Sequence, residues 1–274
     1  MGARVIDGRG LAAELKEGLA AEVAGLRDTG VVPGLATVLV GSPAEVAMYR
    51  ALDPLKDIEV AVHPVNAGLL AFGRPRYVPS TLAAAFRMFY RYLVGSDRDP
   101  AKFYSRSNVV FVGRYNYVGK PAVSLGFSRN ATVISCDEHA YNAGRLAEFT
   151  TQAGILIVAA GVLGLIRNEY VREGVIAIDI GINPVRDPRT GKQGFVGDLD
   201  FSAVATRAKA LSPVPGGVGP ITDVWLLKNT ADAARISTRA EAARRSLETV
   251  TTDGIVKIDT IFARSARGKG SSGD

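Results

Sequence analysis

The stretch Val109-Val110-Phe111-Val112-Gly113-Arg114-Tyr115-Asn116-Tyr117-Val118-Gly119-Lys120-Pro121 decides the fold. Its apolar run is too short for a helix and, being rich in β-branched residues, suits a strand buried on both faces. The chain then enters a turn bounded by glycines and a helix from Val118. Glycine lets backbone N–H groups close on a pyrophosphate, and a helix amino terminus adds a favourable dipole. Strand, glycine, helix is therefore the minimum for a dinucleotide site. Gly113 and Gly119 do not form the usual three-glycine fingerprint, and a tight turn between strand and helix accounts for them equally well.

Working outward, strands are predicted at Asn108–Val112, Ala131–Ser135, Ile155–Ala159 and Val175–Ile180, with helices from Val118 and over Arg145–Thr151. Such alternation predicts an α/β fold with a doubly wound parallel sheet. Towards the amino terminus, Val5-Ile6 reads as a strand. Leu11, Leu15, Leu19, Val23 and Leu26 then mark an amphipathic helix ending at Gly30. A strand over Leu35–Val40, a short helix from Pro43 to about Ala51, a strand over Ile58–Val62 and a helix capped by Ser80 through Phe86, Phe89 and Tyr92 follow. Beyond the sheet, residues 200–209 and 221–247 read as helices, and Arg264 to Asp274, made of Gly, Ser and charge, reads as disordered.

The chain has 274 residues, enough for one large domain or two modest ones. With 47% hydrophobic and 22% charged residues it is neither disordered nor fibrous. The longest apolar run, Ala153 to Ile166, is too short to cross a bilayer, and Met1 to Ile6 lacks an apolar signal core, so a cytoplasmic protein without membrane contact is expected. One cysteine, Cys136, and two histidines, His63 and His139, argue against an intrachain disulfide and a metal site. The net charge of +6 is half tail and shows no basic stripe interleaved with aromatics, so no nucleic-acid partner is expected.

Two further stretches bear on chemistry. The second nucleotide-domain strand ends at Cys136-Asp137-Glu138, near the ~20-residue distance at which an acid holds an adenosine ribose hydroxyl. A carboxylate there repels a 2′-phosphate and favours NAD, whereas Arg114 can pair with that phosphate and favours NADP. A solvated strand end explains the acids equally well. The other stretch is Ser212-Pro213-Val214-Pro215-Gly216-Gly217-Val218-Gly219-Pro220-Ile221-Thr222, an irregular loop entering a helix, to be read as a ligand contact or as a rigid connector.

On these residues the chain resembles the bifunctional methylenetetrahydrofolate dehydrogenase/methenyltetrahydrofolate cyclohydrolase family. The loop Pro215-Gly216-Gly217-Val218-Gly219-Pro220 is similar to that family's most specific motif, with Thr222 and Leu226-Leu227-Lys228-Asn229-Thr230 in register. Val5-Ile6-Asp7-Gly8, Lys56-Asp57-Ile58-Glu59, His63 to Gly68, Gly113-Arg114, Val118 to Pro121, Ile178 to Asn183 and Val196-Gly197-Asp198 also agree. The resemblance implies two domains, a shortened α/β folate-side domain over 1–106 and a Rossmann-like NAD(P)-binding domain over 107–235, followed by a carboxy-terminal helix and tail over 236–274. It implies NADP-dependent, or NAD-dependent, oxidation of methylenetetrahydrofolate, followed by hydrolysis of the methenyl bridge, in a homodimer. Cofactor contacts would come from Gly113, Arg114, Tyr115, Asn116, Val118, Gly119, Asp137, Gly181, Ile182, Gly197 and Asp198. Folate would meet Pro215, Gly216, Gly217, Val218, Gly219, Pro220 and Thr222.

The chain departs from the family at the folate side. A tyrosine followed one helical turn later by a lysine is expected there, so that both share a face and the amine moves protons at the folate nitrogens. Here Asp53 lies four residues after Tyr49, and the lysine is absent. A crossover of strand and helix, with a Gln-Leu-Pro-Leu-Pro loop, is missing between Leu52 and Asp53. Tyr49, Lys56 and Glu59 are the catalytic candidates that remain. The cyclohydrolase step should suffer most. The alternative is a catalytically degenerate paralogue that binds a nucleotide and serves as a binding or dimer partner.

Overall fold

A computed structural model describes residues 2–37, 52–60, 63–186 and 191–253, with side chains in the last helix as far as residue 242. Six parallel strands form one sheet: β1 (Arg4–Val5), β2 (Asn108–Val112), β3 (Thr132–Cys136), β4 (Ile155–Val158), β5 (Ile176–Asp179) and β8 (Ala210–Leu211). Their order across the sheet is β1-β8-β5-β4-β2-β3. A separate antiparallel hairpin joins β6 (Asn183–Arg186) to β7 (Gln193–Val196).

The period of two along each strand sorts side chains onto two cores. Val109, Phe111, Ile155, Ile157, Ile176 and Ile178 enter one core, while Val110, Val112, Leu156, Val158 and Ala177 enter the other. Both faces are therefore covered, as the uninterrupted apolar strands require. On the first face lie helices α1 (Gly8–Asp28), α3 (Ser80–Val94), α5 (Gly119–Phe127) and the long α9 (Val218–Asp253), with α9 packed against both α1 and α3. Helices α2 (Pro64–Ala71), α4 (Pro100–Ser105), α6 (Glu138–Asn142), α7 (Leu146–Thr150) and α8 (Phe201–Ala205) complete the described chain.

After β2 the chain adds β3 on one side and then returns to place β4 on the other. Successive crossovers leave this point towards opposite faces, which opens a crevice at the carboxy ends of β2 and β4. The doubly wound sheet expected from the alternation is thus present. Among the described residues, those before 107 contribute four helices and one strand, β1, which extends the common sheet beyond β8.

Several local expectations are corrected. Ile58 to Val60 form a turn rather than a strand, because the buried Asp57 carboxylate accepts the N–H groups of Val60 at 3.1 Å and His63 at 2.9 Å and closes the chain on itself. Ser80 does not cap α3. It is the first helical residue, and its hydroxyl donates to Glu59 at 2.8 Å. The helix expected over 200–209 stops at Ala205, since Ala210 and Leu211 are needed to pair with both β5 and β1. Leu35 to Thr37 carry no strand. The remainder of that expected strand, the helix from Pro43 to Ala51 and the tail over 264–274 lie outside the described residues.

Candidate functional site

The crevice at the switch point is a cleft of about 470 Å³ lined by residues following β2, β3 and β4, among them Gly113, Arg114, Tyr115, Asp137 and Ala160. Gly113 has φ +101°, and a Cβ on it would lie 2.1 Å from the Ala159 carbonyl oxygen. A Cβ on Gly119 would lie 2.2 Å from the Gly113 carbonyl oxygen. The two glycines let β2, the start of α5 and the end of β4 approach backbone to backbone, the use that a phosphate-binding turn makes of glycine. Tyr115, 68% exposed, and Tyr141 stand on the cleft wall.

Arg114 and Asp137, whose signals conflict in the sequence, are bonded to each other. Arg114 NH1 donates to Asp137 Oδ2 at 2.8 Å, and NH2 donates to the Ser135 carbonyl at 2.7 Å. Asp137 also caps α6, accepting the Ala140 N–H at 3.3 Å. Desolvation pushes its carboxyl up, but the Ala140 N–H, the Arg114 guanidinium and His139 together hold it below the usual carboxylate range. Ser135 and Tyr141 carry no signal in a linear reading.

Beside the cleft, Asp179 and Asp198 exchange places with two glycines. A Cβ on Gly197 would lie 1.9 Å from Asp179 Oδ2, and one on Gly181 would lie 2.2 Å from the Asp198 carboxyl carbon. Asp198, fully buried, accepts N–H groups from Ala160 at 2.6 Å, Gly161 at 2.9 Å and Val162 at 2.9 Å, and the Asn183 amide at 2.8 Å. Its carboxylate is thereby committed to the loop after β4, and it shapes the cleft through that loop. Ile182 is exposed beside Gly181. The aspartate, glycine, glycine, aspartate spacing is visible in the sequence, but nothing local says that the two segments meet, so the pairing of Asp179 with Gly197 and of Asp198 with Gly181 exists only in the fold.

Asp179, 3% exposed, accepts from Gly181, Asp198 and Leu199 N–H groups, but burial outweighs these donors and pushes its carboxyl up to about 6. Between about pH 4 and pH 6 the folded protein therefore holds a proton that the unfolded chain has released. The group's contribution to stability is full below about pH 4 and is lost as the pH rises through about 6, by ~3 kcal/mol. Denaturant unfolding of wild type and Asp179→Asn isolates this group. The stability of wild type relative to the variant should be greater at pH 4.5 than at pH 7.5, and an equal difference at the two pH values would refute it.

The glycine-rich loop lies against the start of α1. Gly8 N–H donates to the Gly216 carbonyl at 2.9 Å, and a Cβ on Gly8 would lie 1.8 Å from the Gly217 carbonyl oxygen. Gly216 and Gly217 thus bring the loop backbone against the first turn of α1. Gly219 and Pro215 are exposed. Val218 is buried, Pro220 is half-buried, and the Thr222 hydroxyl donates back to the Val218 carbonyl within α9.

Of the three catalytic candidates, Lys56 and Glu59 are among the described residues. Tyr49 lies outside the described residues. Lys56 is exposed on a turn and, with Ile58 and residues of α9 including Thr230 and Ala234, lines a cavity of about 380 Å³. Glu59 is half-buried, its carboxyl pushed up by burial against the Ser80 hydroxyl bond. Asn229 of α9 ties this segment down by donating to the carbonyls of Ile58 at 3.0 Å and Val78 at 2.8 Å. His63 accepts the Val65 N–H as the cap of α2. Among the described residues no cluster of metal-ligating side chains occurs, and no helix is long and apolar enough to cross a membrane.

Comparison with known proteins matches residues 100–238 to the tetrahydrofolate dehydrogenase/cyclohydrolase, NAD(P)-binding domain. The chain is similar to Bifunctional protein FolD 3 of Rubrobacter xylanophilus, 54% identical over 88% of this chain and 96% of that protein, and to Bifunctional protein FolD 2 of the same organism, 55% identical over 86% and 92%. The first of these alignments spans 305 positions, more than the 274 residues of this chain, so part of that relative has no counterpart here. Among solved structures, the Trypanosoma brucei N5,N10-methylenetetrahydrofolate dehydrogenase-cyclohydrolase complexed with NADP cofactor and inhibitor superposes with a TM-score of 0.74 at 28% identity, over 87% of this chain and 99% of that one.

Proposed function

Since the chain belongs to the tetrahydrofolate dehydrogenase/cyclohydrolase family, we propose that it is an enzyme of tetrahydrofolate interconversion that oxidises methylenetetrahydrofolate to methenyltetrahydrofolate with NADP, or NAD, as acceptor. The observation that carries this is the switch-point cleft, where the positive φ of Gly113 and the tight Gly113–Gly119 approach form a cradle that a side chain would fill. Bound there, the dinucleotide supplies a ring that accepts a hydride.

The residues divide the work. The Gly113–Asn116 turn, with Val118 and Gly119 at the head of α5, would hold the pyrophosphate, and Arg114 with Asp137 would meet the adenosine ribose. Gly181 and Ile182 would border the ring and Gly197 would lie on the cofactor side, while Asp198 holds the 160–162 loop in place. Folate would face residues 215–220, Thr222 and the segment around Lys56 and Glu59. Hydride transfer leans mainly on positioning one ring against another, which this half can supply. Residues 1–106 form the folate side and 107–235 the nucleotide side, with the carboxy-terminal helix and tail from 236. A cytoplasmic homodimer completes the proposal.

The cyclohydrolase step needs a proton moved at the folate nitrogens, and no lysine follows Tyr49 by one helical turn. Purified protein supplied with methylenetetrahydrofolate and NADP or NAD should form methenyltetrahydrofolate and let it accumulate, with hydrolysis no faster than without enzyme. Rapid hydrolysis would show that another group, Lys56 first, replaces the lysine. Tight folate and dinucleotide binding without turnover would instead select the degenerate paralogue, the reading that the absent lysine favours.

A further inference from the structure

NAD and NADP differ at one place, a hydroxyl or a phosphate on the adenosine ribose, and the residues that face such a group at the end of the second strand decide between them. In this chain the arginine suited to the phosphate is already engaged. All three guanidinium nitrogens of Arg114 donate within the protein: Nε to Ser135 Oγ at 3.3 Å, NH2 to the Ser135 carbonyl at 2.7 Å, and NH1 to Asp137 Oδ2 at 2.8 Å. The guanidinium is thereby fixed across the end of β3. Asp137 is held from the other side by its cap bond to Ala140, so the carboxylate cannot swing away without uncapping α6. Both side chains line the cleft, and both are partly exposed to it.

We propose that Asp137 is the specificity-determining residue of the dinucleotide site: by engaging Arg114 and presenting an acceptor to the ribose diol it admits NAD alongside NADP, whose 2′-phosphate must displace the carboxylate to bind. This rests on the dinucleotide reading of the cleft given above. A phosphate brings close to two negative charges and pairs with a guanidinium in a bidentate way, so it competes effectively for Arg114. It does so beside a carboxylate a few ångströms away, and that repulsion penalises NADP alone. A hydroxyl meets no such penalty and gains a charge-assisted hydrogen bond to Asp137.

The test is direct titration of the full chain with NADP and with NAD, for wild type, Asp137→Asn and Asp137→Ser. Asparagine and serine both keep the cap of α6, so the fold is preserved by either route, and a melting temperature checks it. Both variants should bind NADP about tenfold more tightly than wild type and NAD several-fold less tightly. Arg114→Leu should weaken NADP more than NAD. A ratio of NADP to NAD affinity that stays within twofold of wild type in both Asp137 variants overturns the inference while leaving the proposed function intact. If wild type binds neither dinucleotide, the proposed function falls and the inference falls with it.

Discussion

Replacing Gly113 by alanine is expected to abolish dinucleotide binding and to lower folding stability by about 3 kcal/mol. Two independent costs act together. The backbone at φ +101° is outside the range that a residue with a Cβ adopts without strain, and the added carbon would lie 2.1 Å from the Ala159 carbonyl oxygen, 2.6 Å from its carbon and 3.0 Å from the Ala160 nitrogen. None of these atoms belongs to a side chain that could turn aside. The neighbouring backbone is pinned as well, since Gly113 N–H donates to the Cys136 carbonyl at 3.0 Å and Ala159 N–H to the Val112 carbonyl at 2.8 Å. Relief therefore requires the ends of β2 and β4 to part, which deforms the cleft that would hold the pyrophosphate. Denaturant unfolding and dinucleotide titration of the variant check the two effects separately, and wild-type values in both would show that the turn is not a phosphate cradle.

Asp198→Ala should cost somewhat more stability and should release the loop after β4. The wild-type carboxylate satisfies three backbone N–H groups and the Asn183 amide in a fully buried setting. Removing it leaves three backbone N–H groups without that acceptor, at ~1–3 kcal/mol for each that water cannot reach, while the Asn183 amide keeps the Gly197 carbonyl at 3.1 Å. It also empties the space that Gly181 leaves for the carboxyl group. We expect a loss of about 4 kcal/mol, in the range of a broken buried polar network. Amide hydrogen exchange at Ala160, Gly161 and Val162 should accelerate more than in β2, because opening is confined to the loop that Asp198 holds. Equal acceleration throughout would mean that the aspartate supports the whole domain and has no special tie to the cleft.

The two halves of the chain were unequally legible. Asn108–Val112 is a strand with the bounds that its apolar run predicts, and β3, β4 and β5 fall within a residue of expectation, because a short β-branched run closed by polar residues and glycine has one economical conformation. Ile58–Val60 misled for the opposite reason. Its apolar composition resembles a strand, but the side chain of Asp57 offers nearby backbone N–H groups a local partner, and a turn wins. The hairpin of β6 and β7 carried no signal that a linear reading used, since Asn183–Arg186 and Gln193–Val196 alternate only weakly in burial. At the candidate site, Gly113, Arg114, Tyr115 and Asp137, which sit in the motifs that end β2 and β3, line one cleft. Tyr49, Lys56 and Glu59 rest on likeness to a pattern whose lysine is missing; of these, Lys56 lines a cavity with α9 and Glu59 accepts the Ser80 hydroxyl.

By itself, the sequence determined the buried strands, the parallel doubly wound sheet and the family, since all three rest on patterns that are local or repeated in order along the chain. Only the tertiary structure decided what the polar groups do. Arg114 meets Asp137 because β2 and β3 are neighbours, and Asp179 and Asp198 trade places with Gly197 and Gly181 because residues far apart in the chain are folded against each other. Hydrophobic burial depends on period and composition, which a linear reading contains. A hydrogen bond or an ion pair depends on ångström distances between distant residues, which exist only once the strands have taken their order.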